Sequence, residues 1–233
     1  MTIDLRKATS AWRAKHARPA WKPVVDDRAT GSAEFGGSPM LAASEVWPTC
    51  RGCHRPMQFF VQLDVMALPA GSPARGAGWL QLFYCSTDDG MCETWAPFSG
   101  TQLVRLLDGP ARPVAHPAGL DALPRRSVAT WTKLVDYPHH DEHAELGLDL
   151  PDLDVATAER IGSPAPGDKL GGWPAWVQSV EYPRCPECGA RMALVMQLDS
   201  EDNLPHMFGD MGCGHITQCP AHPRVLAFGW ACS

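Results

Sequence analysis

Seven cysteines and one histidine fall into two sets whose spacing nearly repeats. Cys50, Cys53, Cys85 and Cys92 read C-x2-C-x31-C-x6-C, and Cys185, Cys188, Cys219 and His222 read C-x2-C-x30-C-x2-H. A CxxC turn brings two sulfurs within reach of one tetrahedral ion, and the long gap lets strands carry the chain out and back with the second pair. Four soft donors with no open position suit zinc held for structure. The spacing predicts two structural zinc ions. Cys92 and His222 are the members whose spacing differs between the sets.

Three further groups carry residue types that do chemistry. Asp210, Cys213 and His215 lie in GDMGCGH (Gly209–His215) and would be the acid, thiol nucleophile and base of a covalent mechanism. They fall within six residues on a Gly-rich turn, whereas such triads are assembled from distant segments. The expectation is a loop entering a strand, with Cys213 a small buried residue beside Cys232. His139 and His143 of HHDEH (His139–His143, with His140, Asp141 and Glu142 between) could share a helix face and hold a metal with an open position. HEXXH is absent, and Pro138 with the acidic neighbours predicts a solvated loop. Asp64 and Asp199 end matched segments and could act as paired acid and base; capping a turn just past a strand is the expected role. No P-loop, dinucleotide fingerprint or GxSxG elbow is present. No residue is assigned a catalytic or cofactor-binding role.

The elements that must position these groups show in an internal repeat. Residues 36–64 and 171–199 align without a gap at an offset of 135, with eleven identities that include GGxP, CxxC and QLD. The predicted fold class is mostly β (α+β with few helices), an internal duplication of two zinc-clipped β modules packed with pseudo-twofold symmetry. The divisions are 1–34, a basic helix and loop; 35–108, the first CxxC module; 109–168, a connector with a strand and the acidic/His loop; and 169–233, the second CxxC module. Predicted strands are Met57–Leu63, Trp79–Tyr84, Glu93–Phe98, Ser127–Val135 and Val225–Ala231, with a helical turn over Asp154–Arg160. Residues 23–34 and 109–126 have loop composition. Trp173 and Trp176 are expected to pack over the second GG turn.

Composition narrows the function. The odd count of nine cysteines with metal-like spacing argues against a disulfide framework. There is no signal-type segment and no apolar run near 18 residues, so a cytoplasmic location and no membrane contact are expected. A net charge of −6 argues against nucleic acid. Residues 1–22 form a local basic arm of Arg6, Lys7, Arg13, Lys15, Arg18 and Lys22. Leu5, Ala8 and Trp12 fall there at helical spacing, which predicts a helix ending before Pro19 that docks Trp12 on the body.

KLGGWPAWVQ (Lys169–Gln178), followed by CPECGARMALVMQLDS and GDMGCGHITQCPAHP, resembles the YwqG-like bacterial family, a domain of unknown function numbered 1963. The first half, through WLQLFYC and APFSGTQLVRL, is similar to the same group and more distantly to the programmed cell death protein 2 family. That second family shares the GGxPxW turn, the CxxC and an LQ strand, and the resemblance implies shielding of a newly made ribosomal protein. No catalytic residues carry over. The expected function is a zinc-binding module that holds a protein or peptide partner between its β modules, helped by exposed sheet edges. The alternative is an enzyme, possibly a hydrolase, using the Gly209–His215 loop or the His139–His143 cluster.

Overall fold

The computed structural model describes residues 9–87, 92–148 and 155–233. Leu5, Arg6, Lys7 and Ala8 of the basic arm lie outside them, as do Leu150 and Asp154. Helix α1 (Ser10–His16) leads into β1 (Arg18–Val25), β2 (Ala33–Phe35), β3 (Met40–Ala42), β4 (Gln58–Asp64), β5 (Trp79–Tyr84) and β6 (Gln102–Leu107). After β7 (Ala111–Pro113) come β8 (Arg126–Asp136), α2 (Val155–Ile161), β9 (Lys169–Gly171), β10 (Ala193–Asp199), β11 (Cys213–Gln218) and β12 (Leu226–Ala231). Ten described strands form one antiparallel sheet in the order β12-β11-β10-β9-β1-β8-β2-β4-β5-β6, and β3 pairs separately with β7. The protein is mostly β. No helix among the described residues is long and apolar enough to cross a membrane.

The sheet curls until its two ends nearly meet. Gln102 Nε2 on β6 donates to the Phe228 carbonyl on β12 at 3.0 Å, and the Trp230 amide donates to the Trp95 carbonyl at 3.3 Å. The expected exposed edges are corrected in part: β6 and β12, the two end strands, face each other and are bridged by a side chain rather than by a ladder. Inside the curl sits one core of Phe35, Phe60, Leu63, Leu82, Tyr84, Leu198, Ile216 and Phe228, to which Trp21 of β1 contributes. β4 and β10 are buried on both faces. That is why their sequences run apolar instead of alternating.

The strand order reads the same from either end, and the local geometry follows it. β4–β5 pairs Asp64 with Trp79 and shifts register between Phe59 and Val61; β10–β11 pairs Asp199 with Cys213 and shifts between Leu194 and Met196, the same places at the 135 offset. The repeated residues have matching tasks. Gln62 Oε1 accepts from the Met40 amide and Gln197 Oε1 from the Ala175 amide, both at 2.9 Å, so each glutamine holds the loop after its GG turn. Gly172 has φ +75°, and a Cβ there would lie 2.1 Å from Asp136 Oδ2. Only glycine combines that backbone with that approach.

Several elements differ from the sequence reading. β1 was expected to be helix end and loop. Its Pro19 and Pro23 lack N–H groups, but β9 pairs only with Ala20 and Trp21, so neither proline has a partner to lose on that side. Residues 93–98 are turns, not a strand; they cross to the β12 end, and β6 follows. Within residues 109–126, read as loop, lies β7, while the strand expected over Ser127–Val135 is present as β8, whose register runs from Arg18↔Asp136 to Val25↔Val128 against β1.

Candidate functional site

Each CxxC sits in a tight knuckle between two short segments of chain. The Cys50 amide donates to the Arg55 carbonyl and the His54 amide to the Cys50 carbonyl, both at 2.9 Å; Cys185, Ala190 and Gly189 repeat the pattern at 2.9 and 2.8 Å. His54 (φ 59°) and Gly189 (φ 71°) occupy the same left-handed position. β5 and the chain just beyond it bring Cys85 and Cys92 to the first knuckle, and the end of β11 brings Cys219 and His222 to the second.

The eight predicted ligands converge as two sets. Within each, the ligand atoms all lie within 4.8 Å of one another, an arrangement that could hold a metal ion. Sγ–Sγ distances are 3.6 Å for Cys50–Cys92, Cys53–Cys85 and Cys188–Cys219, and His222 Nδ1 is 3.7 Å from both Cys185 and Cys219. Bonds of about 2.3 Å to a tetrahedral centre give sulfur–sulfur edges of about 3.8 Å, close to the three sulfur–sulfur distances above. The Gly52 and His222 amides aim at Cys50 and Cys219 sulfur at 3.3 Å. Burial pushes the Cys92 thiol up. Burial also works against ionising Cys219, but backbone amides of His222 and Ala221 outweigh it and bring that thiol down.

The other candidate groups separate. Asp210 is exposed, whereas Cys213 and His215 are buried in β11 with Sγ and Nε2 3.7 Å apart. Burial pushes the Cys213 thiol well up and takes His215 down to about 3, with Lys169 nearby adding to the second effect. A buried, protonated thiol is a poor nucleophile. His139 Nδ1 and His140 Nε2 face Asp141 at 3.3 and 3.4 Å, and these three could hold an ion. His143 does not join them: it is 2% exposed and packs edge-on against Trp12 at 4.8 Å. The expected solvated loop is thus corrected at Glu142 and His143, both buried. Asp64 accepts from the Met66 amide, and Asp199 from the Gly167 and Ser200 amides, so both are turn caps. Trp12 docks on the body as expected, its indole donating to the Leu146 carbonyl at 3.0 Å.

One feature has no counterpart in the motif reading. A cleft of 220 Å³ opens on the outer face of β11 and β12, lined by Trp95, Trp176, Tyr182, Trp230 and His215, with the exposed Glu181 also in its lining. Trp176 packs on Tyr182 and on His215, each at 4.8 Å between ring centroids. Glu142, 1% exposed, fixes these walls: it accepts from Trp176 Nε1 at 2.9 Å, from the Tyr182 hydroxyl at 3.0 Å and from Arg191 at 2.8 Å. Trp173 is buried packing, as expected, with Arg18 stacked on it at 3.3 Å. Trp176 packs too, but it also faces the cleft. The sequence signal for the cleft is the tryptophan content, nine in 233 residues.

The family model described as "Domain of unknown function (DUF1963)" matches residues 33–218. A 45-residue stretch is 47% identical to "Uncharacterized protein YpfL" of Salmonella typhimurium (strain LT2), which covers 19% of this chain and 11% of that protein.

Proposed function

Because the chain belongs to the DUF1963 family, a domain of unknown function, we propose a function from its own geometry: a zinc-stabilised, non-catalytic module that holds a segment of a protein partner in the aromatic cleft. The cleft is the observation that carries this reading. Trp95 stands 50% exposed at its edge, a large apolar surface that folding has left uncovered. Rigid aromatic walls with one carboxylate are the composition of a peptide-anchor pocket. The two four-ligand sets are closed, and none of their ligands lines the cleft, which suits zinc held for structure. None of the nine cysteines is in a disulfide, and we place the protein in a reducing, cytoplasmic setting. The strand-for-strand match of the halves supports their origin by duplication.

Panning the metal-loaded chain against a random peptide display library tests the reading. The expected outcome is a consensus whose binding is lost on Trp95→Ala. A library that yields no consensus above background would overturn it. Metal analysis of protein purified without chelator is expected to give about two zinc ions per chain.

A further inference from the structure

The matching halves let one interpret the other. Counting along the ladders from Asp64↔Trp79 and Asp199↔Cys213, Gln81 on β5 occupies the place of His215 on β11. Gln81 faces Arg105 on β6, and His215 faces Gly229 on β12. In the first half the space over this pair is full. Arg105 Nε and Nη2 both donate to Gln81 Oε1 at 3.0 Å, Nη1 pairs with Glu45, and the guanidinium lies 5.5 Å from the Phe83 ring. In the second half Gly229 brings no side chain, and the aromatic cleft stands where the arginine would be. Pro97 bars residue 229 from filling it, since a Cβ there would meet Pro97 Cγ at 2.9 Å. Residue 229 therefore cannot supply the occupant.

We propose that the cleft takes the side chain of an arginine in a peptide or protein partner, in the role that Arg105 plays within the first half. This rests on the peptide-binding reading above and names what it recognises. The walls are suited to a planar cation, because guanidinium groups stack on tryptophan and tyrosine faces. Tyr182 already shows this pairing: Arg191 stacks on its ring at 3.5 Å with its charge met by Glu142 and Glu145. Glu181, an exposed lining residue one beyond the position matching Glu45, supplies a carboxylate that accepts from the Ser179 hydroxyl at 3.1 Å. The cleft floor adds no repulsion, as burial keeps the His215 ring uncharged.

Calorimetric titration of the zinc-loaded full chain tests this with three blocked pentapeptides that carry arginine, citrulline or lysine between glycines, and with agmatine. Saturable binding of the arginine peptide is expected, about tenfold tighter than either of the others. Glu181→Lys and Trp95→Ala are expected to abolish it without moving the melting temperature. An arginine peptide that fails to saturate, or a citrulline peptide that binds as well, overturns the proposal. So does binding of agmatine alone, which would assign the cleft to a small guanidinium compound. A library consensus without arginine overturns this inference while leaving the peptide-binding reading intact; no consensus at all overturns both.

Discussion

His215 is 7% exposed on the cleft floor beneath Trp176, and burial disfavours a proton on its ring. Its pKa falls from 6.5 to about 3, so between those values the unfolded chain binds a proton that the folded chain refuses. Stability contributed by the neutral ring is complete above about pH 6.5 and is lost as the pH falls toward 3. His215→Gln, which installs the residue that Gln81 provides in the other half, is expected to flatten the acid limb of a plot of melting temperature against pH. An unchanged limb would assign it to other groups. At the metal sets, Cys185→Ser is expected to cut the zinc content from about two ions to about one and to lower melting by about 10 °C or more, because the ligand set folds with its ion. These ligands were legible from spacing alone. Glu142 was not, because nothing in HHDEH distinguishes a buried carboxylate that holds Trp176 and Tyr182 from an acidic neighbour in solvent.

At the scale of elements, the two GG turns and the two knuckles explain most of the repeated positions, and their glycines differ in kind. Gly172→Ala would press a methyl against the buried ion pair of Asp136 and Lys169, whose charged atoms are 2.8 Å apart. A loss of about 3 kcal/mol or more in denaturant unfolding is expected, from the left-handed backbone plus the clash. At Gly189 a Cβ would meet nothing within 4 Å, and His54 already holds the matching position. Gly189→Ala is therefore expected to cost only about 1 kcal/mol. Equal costs would mean the contact with Asp136 is not what fixes Gly172. The apolar strands β4, β5 and β12 were readable because burial leaves a continuous hydrophobic run. β2 and β9 are three residues each, too short to show a period, and the prolines of β1 read as punctuation.

Over the whole molecule, the repeat predicts two modules packed against each other, but the sheet interleaves them. β1 lies beside β9 of the second half, and β8 lies beside β2 of the first. Both halves also pack into one core. Stripping zinc with a strong chelator is expected to lower the melting of the chain as one cooperative transition, with near-UV and far-UV circular dichroism coincident. Two separated transitions would show that the halves melt independently. This interleaving could not be read in the sequence, since it depends on strands from the N-terminal segment and the connector, neither of which belongs to the aligned repeat.

The β1–β8 ladder also sets a schedule for synthesis. Arg18 pairs with Asp136 and Val25 with Val128, so β1 leaves the ribosome long before its main partner exists. Its other neighbour, β9, is made later still. The nascent chain must carry Trp21 unburied while the whole first half is translated, and closing so long a loop is slow. The first CxxC set is complete by Cys92, before β8 is made. Metal capture there can order the early ribbon while β1 waits.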